Sequence, residues 1–214
     1  MTFKVPEIEL NFCNSCSADC FICSSAHGEF NKYPENKLML PETFDKVMAR
    51  LHEIDFDIIQ TSGNGDCFLN PWFIDYLKRL RSEFPDKQIH NYSSFASYSP
   101  KYADIIIEQN LINKQHTRIE TLDMSLWKRT ARMDVETAFQ NIQYFAKHPK
   151  RKTLFSVGYF DLRSYIDLCK RILDKKPLKL KLTDSEVAFL KDEFFDILRL
   201  FKDVGNLEVT RINM

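Results

Sequence analysis

Four of the chain's six cysteines, Cys13, Cys16, Cys20 and Cys23, fall within the run C-N-S-C-S-A-D-C-F-I-C. Thiols packed that closely bind soft metals or exchange electrons, because neighbouring thiolates repel one another unless a cation neutralises them. Three chemistries compete for the run. Cys16, Cys20 and Cys23 follow C-x3-C-x2-C, which lets three thiolates hold one iron–sulfur cubane and leaves its fourth iron without a protein ligand. With Cys13 included, C-x2-C-x3-C-x2-C supplies all four ligands of an electron-transfer cluster. Structural zinc is the third reading, although its cysteine pairs usually stand on a longer loop with two knuckles.

A second constellation is Ser62-Gly63-Asn64-Gly65-Asp66-Cys67. The chain has only five glycines, and two of them stand here, so the backbone itself is needed at this turn. A third is Thr121-Leu122-Asp123, a hydroxyl and a carboxylate that suit either a diol or the cap of a following helix. Cys67 and Cys169 stand alone and read as ordinary semi-buried side chains.

These groups need a scaffold, and the patterning supplies one. Alternating or apolar runs at 7–12, 56–61, 88–95, 117–123 and 152–160 read as strands, with weaker candidates at 178–182 and 207–212. Helical stripes lie between them: Phe44, Val47, Met48 and Leu51 behind Pro41; Trp72 to Leu80 behind Asn70-Pro71; a helix capped by Ser99-Pro100; and helices over 134–147, 165–173 and 185–201. Repeated strand-then-helix order without hairpin turns predicts a single α/β domain over 1–214. Its form is a partial (β/α)6 TIM-like barrel of parallel strands. Ligand chemistry in such folds gathers at the carboxyl ends of the strands. The cysteine loop, 62–66, 90–93 and 121–123 are therefore expected at one mouth, together with His90, Tyr92, Tyr159 and Arg163.

At this point a resemblance becomes specific. Asn14-Ser15-Cys16-x3-Cys20-x2-Cys23 after a first strand resembles the signature of the radical S-adenosylmethionine (radical SAM) superfamily, and the likeness extends over about residues 7–145. It implies a [4Fe-4S] cluster on Cys16, Cys20 and Cys23, with Cys13 outside the ligand set. The Gly63-Asn64-Gly65-Asp66 turn is similar to the family's Gly-Gly-Glu-Pro or Gly-x-Gly-Glu-Pro turn. Asp66 replaces the glutamate and Cys67 the proline. The likeness implies that Ser62 to Asp66 meet the methionine ammonium, Thr121 and Asp123 the ribose, Ile22 the adenine, and Arg132 the methionine carboxylate. Met133 stands where relatives carry glycine, while Asn141-Ile142 matches a common pair. Gly158 lies on a strand where relatives let adenine approach the backbone.

The implied activity is reductive cleavage of S-adenosylmethionine to a 5′-deoxyadenosyl radical that abstracts hydrogen from a small-molecule or peptide substrate. The alternative is an electron-transfer or cluster-binding module with Cys13 as fourth ligand. A degenerate barrel that binds the nucleoside without cleaving it is the third reading. Beyond Cys67 only Cys169 remains, so one cluster is expected without an auxiliary-cluster extension. Residues 176–214 are expected to complete or cover the barrel. An epimerase of this type would need a hydrogen donor, a role for which Cys67 is the site candidate and Cys169 the other thiol. An external flavodoxin- or ferredoxin-type donor and a partner protein completing the site are the implied partners.

Composition bounds the rest. Thirty basic and thirty acidic residues cancel, so no global field draws nucleic acid or an anionic membrane. The first residues lack a signal-peptide core and no window reaches the ~18 apolar residues of a membrane span, so a cytoplasmic setting is expected.

Overall fold

The computed structural model describes residues 4–20, 23, 37–160 and 192–212. Ile22, Cys169, Arg163, the expected helix at 165–173 and the strand at 178–182 lie outside the described residues.

Among the described residues six strands form one sheet in the order β1-β2-β3-β4-β5-β6, every neighbouring pair parallel. They are β1 (Lys4–Glu9), β2 (Asp55–Gln60), β3 (Gln88–Tyr92), β4 (Lys114–Ile119), β5 (Leu154–Phe160) and β6 (Leu207–Ile212). Helices cross between them: α1 (Pro41–Leu51), α2 (Phe73–Glu83), α3 (Pro100–Glu108), α4 (Met124–Ala131), α5 (Val135–Lys147) and, before β6, α6 (Phe194–Leu200). This open parallel sheet is the expected partial barrel.

Local chemistry explains where the helices begin. Ser99 accepts from the Tyr102 N–H, Asp123 from Leu126 and Asp134 from Thr137, each satisfying an amide that the first helical turn leaves without a partner. α1 instead starts on a proline and buries Phe44, Met48 and Leu51 against the sheet. Phe12 packs there against the rings of Phe44, Phe73 and Tyr76 at 5.9, 5.3 and 5.7 Å. Each fully buried aromatic of this kind contributes roughly 1.5–3 kcal/mol of burial free energy.

Two of the boundaries that differ from the sequence expectation bear on the site. β1 ends at Glu9 because the Leu10 N–H closes on Gln60 and the Phe12 carbonyl turns to the Met39 N–H and the Asn70 amide, so residues 10–12 already belong to the loop. β4 runs over Lys114–Ile119 rather than 117–123, because Asp123 caps an additional helix, α4.

The register places polar side chains in rows across one face of the sheet. Glu9 pairs with Gln60, Gln60 with His90 and His90 with Lys114. Tyr92 pairs with His116, His116 with Ser156 and Ser156 with Glu208. Arg118, Gly158 and Thr210 form a third row. Parallel neighbours in register project to the same side, so this face is a polar wall, while the helices cover the apolar one.

Candidate active site

The cysteine loop is held on three sides. On one, Cys13 forms an antiparallel bridge with Leu38, and the Asn14 N–H donates to Lys37 at 2.7 Å. On the second, the Asp66 N–H donates to the Ser15 carbonyl at 2.8 Å. On the third, the Asp19 N–H donates to Ala131 at the end of α4 at 3.0 Å, and the Asp19 carboxylate pairs with Arg132 at 2.7 Å. Arg132 is itself the left-handed cap of α4, with φ 48°.

Within this frame the four thiols separate. Cys13 is 2% exposed, and its thiol lies 3.3 Å from both the carbonyl and the N–H of Ser15. Cys16 is exposed and Cys20 and Cys23 are half-buried. Although the residue as a whole is exposed, desolvation of its sulfur pushes the Cys16 thiol up to about 11, with Asp66, Cys23 and Cys13 adding repulsion and the Ala18 N–H opposing the rise. It pushes Cys20 to about 12, with Glu120, Cys16 and Cys23 adding to the rise and Arg118 opposing it. The three thiols are thus electrostatic neighbours. Thiols raised this far are protonated at neutral pH, so a cation must displace those protons in order to bind.

Below the loop lies a cavity of about 540 Å³ lined in part by Cys16, Cys20, Ser62, Gly63, Gly65 and Asp66. The glycines face protein as well as cavity. A Cβ on Gly65 would collide with the carbonyl oxygens of Cys13 and Ser15, and one on Gly63 would come within 2.6 Å of the Glu9 carboxylate. Asn64, between them, is half-buried. The Asp66 carboxylate is 2% exposed, accepts from the Phe68 N–H at 3.2 Å and lies 3.4 Å from the Ser17 hydroxyl. Burial pushes its pKa up, and hydrogen bonds from Phe68, Ser97, Ser17 and Ser93 pull it partly back.

Several sequence-predicted residues are engaged elsewhere. Asp123 caps α4, and the Thr121 hydroxyl accepts from the Asp123 N–H at 3.1 Å, the helix-start arrangement that competed with a diol site. Cys67 is 1% exposed and accepts from the Asn91 amide at 3.0 Å, among core side chains. Arg132 reaches Asp19 of the cysteine loop. Tyr159 is buried, and its hydroxyl accepts from the Glu193 N–H at 3.2 Å.

The residue sequence reasoning passed over is Glu120. It lines the cavity, is 2% exposed, takes the Arg118 guanidinium on Oε1 at 2.9 Å and has, among the described residues, no hydrogen-bond partner on Oε2. It stands one position before Thr121, and the signal that could have found it is the even-numbered series Lys114, His116, Arg118, Glu120, all charged or polar. Among the described residues no group of three or more His, Cys, Asp or Glu side chains is placed to hold a single metal ion. A lone tetrahedral ion holds its thiolates about 2.3 Å away, whereas the thiolates of a cubane sit on separate irons and stand farther apart.

No family model matches the sequence, and no curated protein matches it. Among solved structures, BtrN in complex with AdoMet and 2-DOIA aligns with a TM-score of 0.52 at 16% identity, covering 83% of this chain and 65% of that one. The chain shares the fold of BtrN. It spans 65% of the BtrN chain. TYW1 with a lysine-pyruvate adduct aligns at TM-score 0.48 and 14% identity, covering 94% of this chain and 72% of that one. Coproporphyrinogen III oxidase (HemN) from Escherichia coli, described as a radical SAM enzyme, aligns at 0.48 and 11%, covering 94% and 53%. In this fold the cysteine loop and the Gly63–Asp66 turn follow β1 and β2, at the carboxyl ends of the strands. No described helix is long and apolar enough to cross a membrane.

Proposed function

We propose that the chain is a radical SAM enzyme whose reaction chamber is the cavity beneath Cys16 and Cys20. The observation that carries this reading is the division of the four thiols: Cys13 lies in a β-bridge and is buried, while Cys16 and Cys20 line the cavity and Cys23 is near enough to raise both of their thiols. Three thiolates fit a [4Fe-4S] cluster with one iron left for a small-molecule ligand. When bound, such a cluster and S-adenosylmethionine supply a 5′-deoxyadenosyl radical that takes a hydrogen atom from substrate.

The chain's own residues bind, orient and exclude water. Cys16, Cys20 and Cys23 hold the cluster, and Asp66, whose carboxylate is buried beside the loop, offers its charge to the methionine ammonium. The backbone from Ser62 to Gly65 closes the same wall. Glu120 Oε2, buried and without a donor among the described residues, accepts a ribose hydroxyl in place of Thr121 and Asp123. Ile22, outside the described residues, is assigned to the adenine on the sequence resemblance alone. Asp19 and Arg132 fix the loop over the chamber, a role for Arg132 in place of direct contact with the methionine carboxylate. That BtrN is solved with AdoMet on the same fold supports this assignment. The proposed partners are a flavodoxin- or ferredoxin-type donor in the cytoplasm, a small-molecule or peptide substrate, and a partner protein that completes the site.

The test is anaerobic iron–sulfide reconstitution, reduction with dithionite and chromatography for 5′-deoxyadenosine. Formation of 5′-deoxyadenosine with the wild-type protein and its absence with Cys16→Ala supports the reading. No product from a loaded, reduced cluster in the presence of candidate substrates defeats it.

A further inference from the structure

The chamber's floor, below Glu120, is built from side chains that binding of S-adenosylmethionine does not use. Tyr92 stacks flat on His116, ring centroids 4.0 Å apart and planes within 3°, and remains 44% exposed. Lys114 pairs with Glu208 at 2.7 Å, and the Thr210 hydroxyl lies 3.5 Å from the same carboxylate. Tyr92, His116, Lys114, Ser156, Glu208 and Thr210 all line the cavity.

The charges on this face are unequal. Among the described residues, Lys114 and Arg118 are its cations, each paired to a carboxylate, Glu208 and Glu120 respectively. Glu7 and Glu9 on β1 add two further carboxylates. Glu7 is close enough to act electrostatically on both His90 and Tyr92, and Glu9 lies 3.4 Å from the Gln60 amide in the His90 row. The histidines do not redress the balance. Burial and Lys114 lower His90, and burial, Lys114 and His90 push His116 down to about 4, so both rings are neutral at pH 7. An exposed aromatic face flanked by Glu7 and Glu208 attracts a cation through the ring quadrupole and through the excess negative charge. An anion would have to compete with Glu208 for Lys114.

We propose that this floor is the substrate subsite and that it selects a cationic group, an alkylamine or guanidine, seated against Tyr92 and facing Glu208. Its meaning as a substrate site rests on the hydrogen-abstraction reading above, but the selectivity does not. The measurement is ligand-observed NMR on the full chain, without S-adenosylmethionine or reductant, using butylammonium, butylguanidinium, butyrate and butanol at pH 7. Butylammonium should bind about tenfold more tightly than butyrate. Glu208→Gln removes a carboxylate and releases Lys114, so butylammonium should weaken by about fivefold while butyrate tightens. Lys114→Met leaves Glu208 without its partner and should tighten butylammonium, which keeps the test decisive if Glu208→Gln fails to fold. Butyrate binding as tightly as butylammonium to the wild-type protein, or an unchanged order of affinities in the folded variants, would overturn the proposal. Either result leaves 5′-deoxyadenosine formation unaffected, so the two readings fail separately.

Discussion

Gly65 sits against the backbone of Cys13, and a Cβ built on it would approach the Cys13 carbonyl carbon to 2.9 Å and collide with the Cys13 and Ser15 carbonyl oxygens. The Gly63–Asp66 turn therefore positions the cysteine loop as well as facing the cavity. Gly65→Ala should displace the loop at a cost of about 1–3 kcal/mol of overpacking and lower the iron bound after reconstitution by more than about half. Gly205→Ala, where a Cβ meets nothing within 4 Å, is the control and should load normally. Iron per chain and thermal midpoints measure both.

Cys13 distinguishes the enzyme from an electron-transfer module. Its buried thiol is already paired with Ser15. Cys13→Ala should retain the cluster, losing about 1 kcal/mol of stability from the missing sulfur and its hydrogen bond. Cys16→Ala, Cys20→Ala or Cys23→Ala should each lose it. Absorption near the thiolate-to-iron bands and iron content decide the matter, and loss of the cluster in Cys13→Ala would make this residue the fourth ligand.

Patterning disclosed the alternation of strand and helix because each parallel strand must bury one face and each helix one stripe, and those periods are written in residues such as Phe44, Met48 and Leu51. The cysteine spacing was legible for the same reason: ligands on one short loop need no tertiary information. Glu120 was not legible, because its significance lies in burial, in its pairing with Arg118 and in its place below Cys20, relations made between distant segments. The sequence pattern around it pointed instead to Thr121 and Asp123, whose hydroxyl and carboxylate serve the start of α4.

That exchange of roles gives a paired prediction. Asp123→Ala should lower stability by about 1 kcal/mol through loss of the α4 cap and leave affinity for S-adenosylmethionine within about twofold. Glu120→Gln should also lower the thermal midpoint, because the Arg118 guanidinium loses its buried carboxylate partner, but unlike Asp123→Ala it should weaken S-adenosylmethionine affinity by about tenfold, since a charged acceptor becomes a neutral one. Equilibrium dialysis beside thermal unfolding separates the two, and a large affinity loss confined to Asp123→Ala would return the ribose to the capping pair.

The Asp19–Arg132 pair makes a different claim on ionic strength. Both side chains are about half exposed, so the pair contributes at most about 1 kcal/mol and is screened by salt. Arg132→Ala should hasten cluster loss under a chelator by about two- to fivefold at low salt. The difference from wild type should shrink at about 1 M salt, where the Debye length falls to about 3 Å. A clamp on the methionine carboxylate would instead show itself in weaker binding of S-adenosylmethionine with cluster lifetime unchanged.

Asp66 sets stability against function. Burial raises its carboxyl above the ordinary value of 3.8, so the native state holds this proton more readily than the unfolded chain. The ionised carboxylate therefore costs stability at neutral pH. That cost diminishes as pH falls through the raised native value and vanishes below the unfolded one. Asp66→Asn removes the buried charge while keeping an acceptor for the Phe68 N–H. Its thermal midpoint should exceed that of the wild type at pH 7, and the two should converge as the solution is acidified towards pH 4. Affinity for S-adenosylmethionine should fall by about tenfold or more, because the ammonium loses a charge-assisted partner. A variant less stable than the wild type at pH 7 would show that the hydrogen bonds from Ser17, Ser93 and Ser97 outweigh desolvation, and unchanged affinity would remove Asp66 from the ammonium site.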